Sequence, residues 1–370
     1  MNPQLTRRRF LQASAGAGAG AMMVGRMGAS ALAQSPAPPA AEPGALNFLT
    51  WSDHWNPDAL AQVQTEQGIA VRVSDLSDNS DGLAKLQAGN SGLDLVSGDA
   101  LWVPAYDANG LVEPLDLSSL TVAGELYSIA REFPFFTGAN GYLAYPWGWS
   151  PIQIAYDPTQ VTSGADSWQL LVDPKYAGRV VMENQPVDIM LFAGKAVGAV
   201  DPYNMTDDEL AKAKNWLTAL KPNVLKLVAQ NGEVRDALVD GSAWIGTSNL
   251  GMPDRVKDAG GPEIMAFVPK EGSVGFIDGE MTVKGAPNLA RVKPYLEFAA
   301  SAEWVAKNFL DWGRPLWNEK AYQVLVDMGE KDRADRYLYN QPEVAMQMTL
   351  KGPGGRVQDY LDTFNSVFGA

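Results

Sequence analysis

The residue types that most enzymes use for nucleophilic or metal chemistry are scarce in this 370-residue chain. It contains one histidine, His54, and no cysteine. A zinc site of His and Cys therefore cannot be built, and a serine triad would depend on His54 as its base. Because His54 lies between Trp51 and Trp55, we expect it to pack or to contact a ligand. The sequence predicts a protein that is not an enzyme and that holds no metal and no cofactor.

Two segments look like ligand loops but lack the context that such loops need. The alternating glycines at 16–20 follow no predicted strand, so they do not form a nucleotide-binding loop. The acidic run at 75–82 has Ser77 where a calcium loop begins with aspartate, and Ala88 where it ends with glutamate. We expect this run to form a turn and to cap a helix at Ser80.

Tryptophan is the residue type whose placement points to binding. Seven of the 11 tryptophans lie near predicted strand ends or in loops rich in Gly and Pro: Trp51, Trp55, Trp102, Trp147, Trp149, Trp312 and Trp317. Open α/β folds bind ligands at the carboxyl ends of their strands. A cation that stacks on an aromatic face there gains roughly 0.5–2 kcal/mol. Some of the seven should fill the core, together with Trp168, Trp216 and Trp304 on helical patterns.

Residues 1–33 have the features of a twin-arginine signal peptide. The segment Thr6–Gln12 (TRRRFLQ) precedes a Gly/Ala-rich stretch that ends in the small-x-small motif at residues 31–33. This export route carries folded proteins, so we expect a periplasmic protein whose partner during export is the twin-arginine translocase. Residues 34–44 are rich in proline and should form an extended leader.

The mature chain is strongly acidic. It keeps 25 Lys and Arg against 43 Asp and Glu, which gives a net charge of −18. Such a surface repels phosphate backbones and anionic lipids, so we expect neither nucleic-acid nor membrane partners. Without cysteine there is also no acceptor for a lipoprotein anchor. We therefore expect a soluble periplasmic protein, most simply a monomer.

Strand and helix patterns alternate after the leader. Apolar strand patterns at 46–50, 70–73 and 93–96 are separated by helical segments, the first of which begins at Asn56-Pro57. This alternation is typical of an α/β fold with a parallel sheet and crossover helices. Further along, Thr206–Glu209 is a capping box that predicts the start of another helix.

Several motifs, in order along the chain, resemble the spermidine/putrescine-type periplasmic binding proteins of ABC importers. The resemblance rests on Leu46–Asp53, Gln67–Val71, Leu83–Gly89, Leu93–Val96, Pro146–Trp149, Ser167–Gly178 and Val268–Gly272 with Asp278. It implies the two-lobed type II binding-protein fold, in which a hinge joins two lobes, each a mostly parallel sheet flanked by helices. Lobe 1 would comprise 35–149 plus 277–322, and lobe 2 would comprise 150–276 plus 323–370.

The resemblance also implies which residues bind the ligand. An aromatic and hydroxyl pair, a pocket tryptophan, an aromatic wall and two carboxylates that pair with ligand amines correspond to Trp51, Ser52, Trp149, Phe276, Asp188 and Asp278. His54 stands where polyamine binders commonly have tyrosine. Opposite charge and aromatic faces are what a buried ammonium group requires.

Other positions depart from the polyamine-binding pattern. Asp99 and Leu101 replace a serine and a tyrosine, Asn249 replaces a tryptophan, and Arg314 replaces a tyrosine. An arginine would repel the second ammonium of a diamine, but its guanidinium fits a carboxylate. Two ligand classes stay open: a zwitterion such as an ω-amino acid, bound at its acid end by Arg314, or a polyamine. In the second case Arg314 would pair with Asp99 or Asp188 as a structural bridge.

These features predict a periplasmic solute-binding component of an ABC importer. It would capture a small cationic or zwitterionic amine in the cleft between the lobes by hinge closure, and its partner would be the membrane permease. Two alternatives stay open. A ligand-sensing protein for a chemoreceptor uses the same closure, and twin-arginine export also serves periplasmic enzymes.

Overall fold

The computed structural model describes residues 44–52, 54–55, 57–89, 91–352 and 354–369. The predicted signal peptide, the leader before Gly44 and the predicted helix cap Asn56 lie outside the described residues. None of the helices in these ranges is long and apolar enough to cross a membrane.

The bounds of the strands and helices are as follows. The strands are β1 (Leu46–Thr50), β2 (Val71–Asp75), β3 (Leu95–Asp99), β4 (Thr137–Gly138), β5 (Gly141–Tyr142), β6 (Tyr145–Pro151), β7 (Gln153–Tyr156), β8 (Val180–Glu183), β9 (Val224–Val228), β10 (Ile245–Ser248), β11 (Met265–Phe267), β12 (Val274–Thr282) and β13 (Thr349–Leu350). The helices are α1 (Pro57–Gln67), α2 (Asn79–Gln87), α3 (Val103–Ala108), α4 (Pro186–Ala196), α5 (Asp207–Leu220), α6 (Asn231–Val239), α7 (Met252–Asp258), α8 (Val292–Ala299), α9 (Ala302–Trp312), α10 (Glu319–Asp327), α11 (Lys331–Arg336) and α12 (Val357–Phe368).

The strands form two sheets and one small hairpin of β4 and β5. The first sheet has the order β13-β12-β3-β1-β2, with β6 also paired to β12, and the second has the order β11-β7-β10-β8-β9. Strands β2, β1 and β3 are parallel neighbours, as are β9, β8 and β10. The predicted parallel pairing with crossover helices is therefore confirmed. In each sheet the carboxyl ends of three parallel strands meet at one edge.

Local sequence explains where two of the helices begin. The capping box predicted for α5 is present, because the Thr206 hydroxyl accepts the Glu209 N–H and the Glu209 carboxylate accepts the Thr206 N–H. Helix α2 begins earlier than predicted. Its cap is Asp78 and not Ser80, since the Asp78 carboxylate accepts the Asp81 N–H at 2.9 Å.

Each sheet has a hydrophobic core of its own. The first core surrounds β1 and β3 and extends to Leu325, Tyr337 and Tyr339. The second core surrounds β7, β8 and β10 and receives Tyr360 and Phe364 of α12. Helices α10 and α11 therefore pack with the first sheet, whereas the predicted boundary after residue 322 places most of this segment in lobe 2. The difference arises because these helices carry apolar side chains that fill the first core.

The chain passes between the two sheets three times within the described ranges. The passages are the β6–β7 link at residue 152, the segment 268–273, and the segment that follows β13. They lie side by side: the Ile152 N–H donates to the Val274 carbonyl, and the Lys351 N–H donates to the Gly275 carbonyl, each at 2.8 Å. The fold is the two-lobed type II α/β architecture, and the cleft lies between its lobes.

Candidate functional site

A cavity of about 670 Å³ lies between the two sheets. The carboxyl ends of the parallel strands of both lobes open into it, as expected for an open α/β fold. Nine of the ten predicted ligand-binding residues line it, namely Trp51, Ser52, His54, Asp99, Asp188, Asn249, Phe276, Asp278 and Arg314. The chain thus brings together residues that are more than 250 positions apart in sequence. That they contact a ligand remains a prediction.

The tenth predicted residue, Trp149, does not line the cavity. Its side chain is fully buried in the first core, where its ring centroid lies 5.8 Å from that of Trp317. Successive side chains on a strand point to opposite faces. On β6 the face of Trp147 and Trp149 is turned to the core, while a Cβ atom at Gly148 would contact Arg314. The predicted core tryptophans Trp168, Trp216 and Trp304 are all buried.

Two buried carboxyl groups form the floor of the cleft. Asp278 on β12 lies directly opposite Asp99 on β3 in the antiparallel register, and the two are 1% and 7% exposed. Burial raises the pKa of Asp99 well above its usual range, and the charge of Asp278 and a hydrogen bond with it raise this pKa further. His54 Nε2 lies 3.0 Å from Asp278 Oδ2 on the other side. The pair is thus arranged to share a proton that a cation could replace.

A third acid, Glu280, lies beneath this pair and was not found by sequence reasoning. It is two residues from Asp278 on the same face of β12 and is 1% exposed. Burial, and then the charge of Asp278, raise the pKa of Glu280 to about 8. Neither carboxylate oxygen has a hydrogen-bond partner in the described part of the chain. Glu280 is therefore mostly protonated at neutral pH, and a positive charge bound at Asp278 would favour its ionised form.

An ion pair lies on the side of the cleft that faces the second sheet. Asp188, in the first turn of α4, is 2.5 Å from the ammonium of Lys351, measured from Oδ2 to Nζ. Burial alone would lower the pKa of Lys351, but the charges of Asp188, Glu183 and Asp99 raise it above its usual value. Lys351 also lines the cavity and was missed by sequence reasoning. It follows an edge strand of only two residues, which carries no motif.

Two cations flank the aromatic wall of the cleft. The Arg314 guanidinium carbon and the Lys351 Nζ each lie 5.8 Å from the centroid of the Phe276 ring. Arg314 is 3% exposed, so its charge is largely removed from water. Because Asp188 is bound to Lys351, the alternative in which Asp188 serves as the bridging partner of Arg314 is not the arrangement seen here.

The two rims of the cleft also contact each other directly. The Ser52 hydroxyl, after β1, donates to the Gln230 side-chain oxygen, before α6, at 3.3 Å. Behind this contact the Arg255 guanidinium donates to the Asn231 side-chain oxygen at 3.0 Å. Among the described residues, no group of three or more His, Cys, Asp and Glu side chains has the geometry of a metal site. The arrangement is suited to holding a small charged molecule between two lobes.

This fold and cleft define a solute-binding protein of the periplasmic type. Residues 58–334 match the family described as bacterial extracellular solute-binding protein, and the chain belongs to that family. Its members are substrate-binding proteins of transport systems and not enzymes.

Known relatives agree with this assignment. The chain is 30% identical over 337 residues to the spermidine/putrescine-binding periplasmic protein of Escherichia coli K12, and the match covers 87% of each chain. A putative spermidine/putrescine ABC transporter protein from Listeria monocytogenes has a similar structure, with a TM-score of 0.75 and 20% identity over 88% of this chain and 98% of that one. The Tp0655 (TpPotD) lipoprotein of Treponema pallidum has a TM-score of 0.74 with 20% identity, over 88% of this chain and 100% of that one.

Proposed function

We propose that this periplasmic solute-binding component of an ABC importer captures a small amine-containing solute in its cleft and delivers it to a membrane permease. The observation that carries the proposal is the acidic floor made by Asp99, Asp278 and Glu280. An ammonium group placed there would replace the shared proton and would compensate charge that the protein has removed from water. The relatives named for spermidine and putrescine support an amine as the ligand.

Capture would require the two lobes to close on the solute. The floor residues belong to the first sheet, and Asp188, Gln230 and Asn249 belong to segments of the second, so a bound solute would link the lobes. We place the hinge at the three passages between the sheets. Lobe 1 would then include α10 and α11, and the chain would return to lobe 2 at α12. Small rotations at a few such residues are a common route to domain closure.

A ligand panel tests this function directly. Purified mature protein would be heated with diamines, polyamines, ω-amino acids and betaines, and its unfolding followed by calorimetry. A ligand at 100-fold excess over Kd should raise the free energy of unfolding by about 2.7 kcal/mol, because it binds only the native state. Small-angle scattering should show a smaller radius of gyration with the same ligand. Stabilisation by sugars or simple anions, and by none of the amines, would contradict the proposal.

A further inference from the structure

We infer that Lys351 is a built-in ammonium group that fills one of two acidic subsites of the cleft, so that the solute carries a single ammonium group and an acidic far end. The inference rests on the proposed function and names its ligand class. It concerns a residue that the sequence did not single out.

Among the described residues the cleft has two acidic subsites, and a lysine ammonium of the protein already occupies one of them. The first is the Asp99 and Asp278 floor. The second is Asp188, with Glu183 nearby, and there the Lys351 ammonium is already bound at 2.5 Å. The side chains of this ion pair are 14% and 12% exposed for Lys351 and Asp188. A ligand ammonium could use Asp188 only by displacing Lys351 and leaving its charge in a largely dry site, which is strongly unfavourable.

The backbone holds Lys351 in this position. Its N–H donates to the Gly275 carbonyl at 2.8 Å, so the residue is fixed beside β12 and next to Phe276. The neighbouring Leu350 carbonyl accepts the Tyr203 hydroxyl at 2.6 Å, which ties the same segment to the second lobe. Because both sides of the segment are anchored, the ammonium is part of the pocket wall.

The positions of the charges that line the cavity suit a ligand with unlike ends. Five acidic and four basic side chains line it within the described ranges: Asp78, Asp99, Glu183, Asp188 and Asp278, with Arg235, Arg255, Arg314 and Lys351. When an ammonium group displaces the proton of the Asp99 and Asp278 floor, it meets negative charge there. The second ammonium of a diamine would lie near Arg314 and Lys351 at Phe276, which repel it, whereas a carboxylate at the same place is attracted.

The geometry also says where the acid end would lie. Phe276 and Asp278 are on the same face of β12, two residues apart, which corresponds to about 6.6 Å. Arg314 and Lys351 flank Phe276. An ammonium at Asp278 and a carboxylate between these two cations would therefore be separated by roughly the length of a four- or five-carbon chain. Guanidinium binds carboxylate oxygens in a two-pronged geometry.

The test is calorimetric titration with two matched ligand pairs that differ only at the far end. These are 4-aminobutyrate with 1,4-diaminobutane, and 5-aminopentanoate with 1,5-diaminopentane. Wild-type protein should bind each amino acid at least 10-fold tighter than its diamine. Lys351→Met, which keeps the apolar stem, should lose affinity for the amino acids and gain at least 10-fold for the diamines, because Asp188 becomes available. Lys351→Arg should keep the wild-type order.

A double variant separates the subsite from a general effect of the substitution. Lys351→Met with Asp188→Asn removes both charges of the pair, so it should fold even where the single variant does not. It should not gain diamine affinity, because the acid that would hold the second amine is gone. A wild-type protein that prefers the diamines, or a diamine gain that persists in the double variant, would overturn the inference while leaving amine capture intact. Binding of none of the four ligands would overturn this inference alone, whereas the proposed function would be overturned only if no amine of the wider ligand panel binds.

Discussion

Asp278 lies opposite Asp99 across two antiparallel strands, and the two carboxyl groups share the floor of the cleft. Two adjacent buried carboxyl groups cannot both be charged at low cost, so one of them retains a proton at a pH where a solvated acid has lost it. An arriving ammonium group removes that cost. Binding is therefore coupled to the release of a proton.

This coupling predicts that amine binding releases protons. At a pH below the raised pKa of Asp99, titration calorimetry in buffers of different ionisation enthalpy should give a heat that varies with the buffer, with up to one proton released per ligand. Asp99→Asn should reduce the number of protons released, because Glu280 is then the remaining acid with a raised pKa beside Asp278, and Asp99→Asn combined with Glu280→Gln should abolish the variation. A wild-type heat that is independent of the buffer throughout the pH range from 5 to 8 would contradict the shared-proton floor.

The second prediction concerns the principal partner of the ligand amine. Asp278→Asn should weaken amine binding by roughly 2–5 kcal/mol, since it removes one half of a buried charge pair. Asp166→Asn is a matched control, because that carboxylate is exposed and paired with Lys270 at the surface. Affinity is measured by calorimetry and folding by thermal unfolding. An unchanged Kd in the Asp278 variant would move the amine site elsewhere.

Glu280 predicts a pH dependence of stability. Its pKa in the folded protein, about 8, is above the ordinary value of 4.5, so the native state binds more protons than the unfolded state between these values. The free energy of unfolding should therefore fall as pH rises from about 4.5 to 8, by at most about 1.4 kcal/mol per pH unit from this group. Glu280→Gln should remove that contribution.

The measurement is urea unfolding of wild type and Glu280→Gln at several pH values. The quantity compared is the difference between their free energies of unfolding at each pH. Glu263→Gln, at an exposed position, should leave the wild-type profile unchanged. Parallel profiles for wild type and Glu280→Gln would show that Glu280 ionises normally in the folded protein.

The fourth prediction concerns Gly251, which contacts Gly313 where the lobes approach each other. Gly251 has φ of +87°, and a Cβ atom there would lie 2.1 Å from the Trp312 carbonyl oxygen, beside Gly313. Gly251→Ala should lower the free energy of unfolding by more than Gly241→Ala, and it should also weaken ligand binding. At Gly241 φ is also positive but no atom lies within 4 Å, so only a backbone cost of about 1–2 kcal/mol is expected. Equal effects of the two substitutions on stability and affinity would exclude a role for the close contact.

Much of this architecture could be predicted from local sequence. The first strand, the α5 capping box and the crossover pattern depend on propensity, caps and periodicity, which are properties of neighbouring residues. The family resemblance predicts ten site residues, and nine of them line the cavity. The prediction that Trp149 lines the pocket is wrong, because local sequence does not show which face of β6 packs against the core. Packing with Trp317, which is distant in sequence, decides the orientation.

The residues that sequence missed depend on long-range placement. Lys351 reaches Asp188 across 163 positions of sequence, through a short edge strand without a pattern. In the sequence, Glu280 is a single polar residue in a strand pattern, which predicts an exposed side chain. The structure shows that it is buried because both faces of β12 are covered. The predicted boundary after residue 322 places the end of α10 and all of α11 in the other lobe for the same reason, since amphipathic periodicity shows that a helix packs but not on which sheet.

A crystal structure of the protein with the amine that binds best in the ligand panel would test the central claim most directly. The account predicts a solute in the cleft between the lobes, with its ammonium nitrogen within hydrogen-bonding distance of Asp278 and close to Asp99. It also predicts that Lys351 remains bound to Asp188. A bound solute whose amine avoids Asp278, or an anion that contacts only Arg314 and its neighbours, would contradict it.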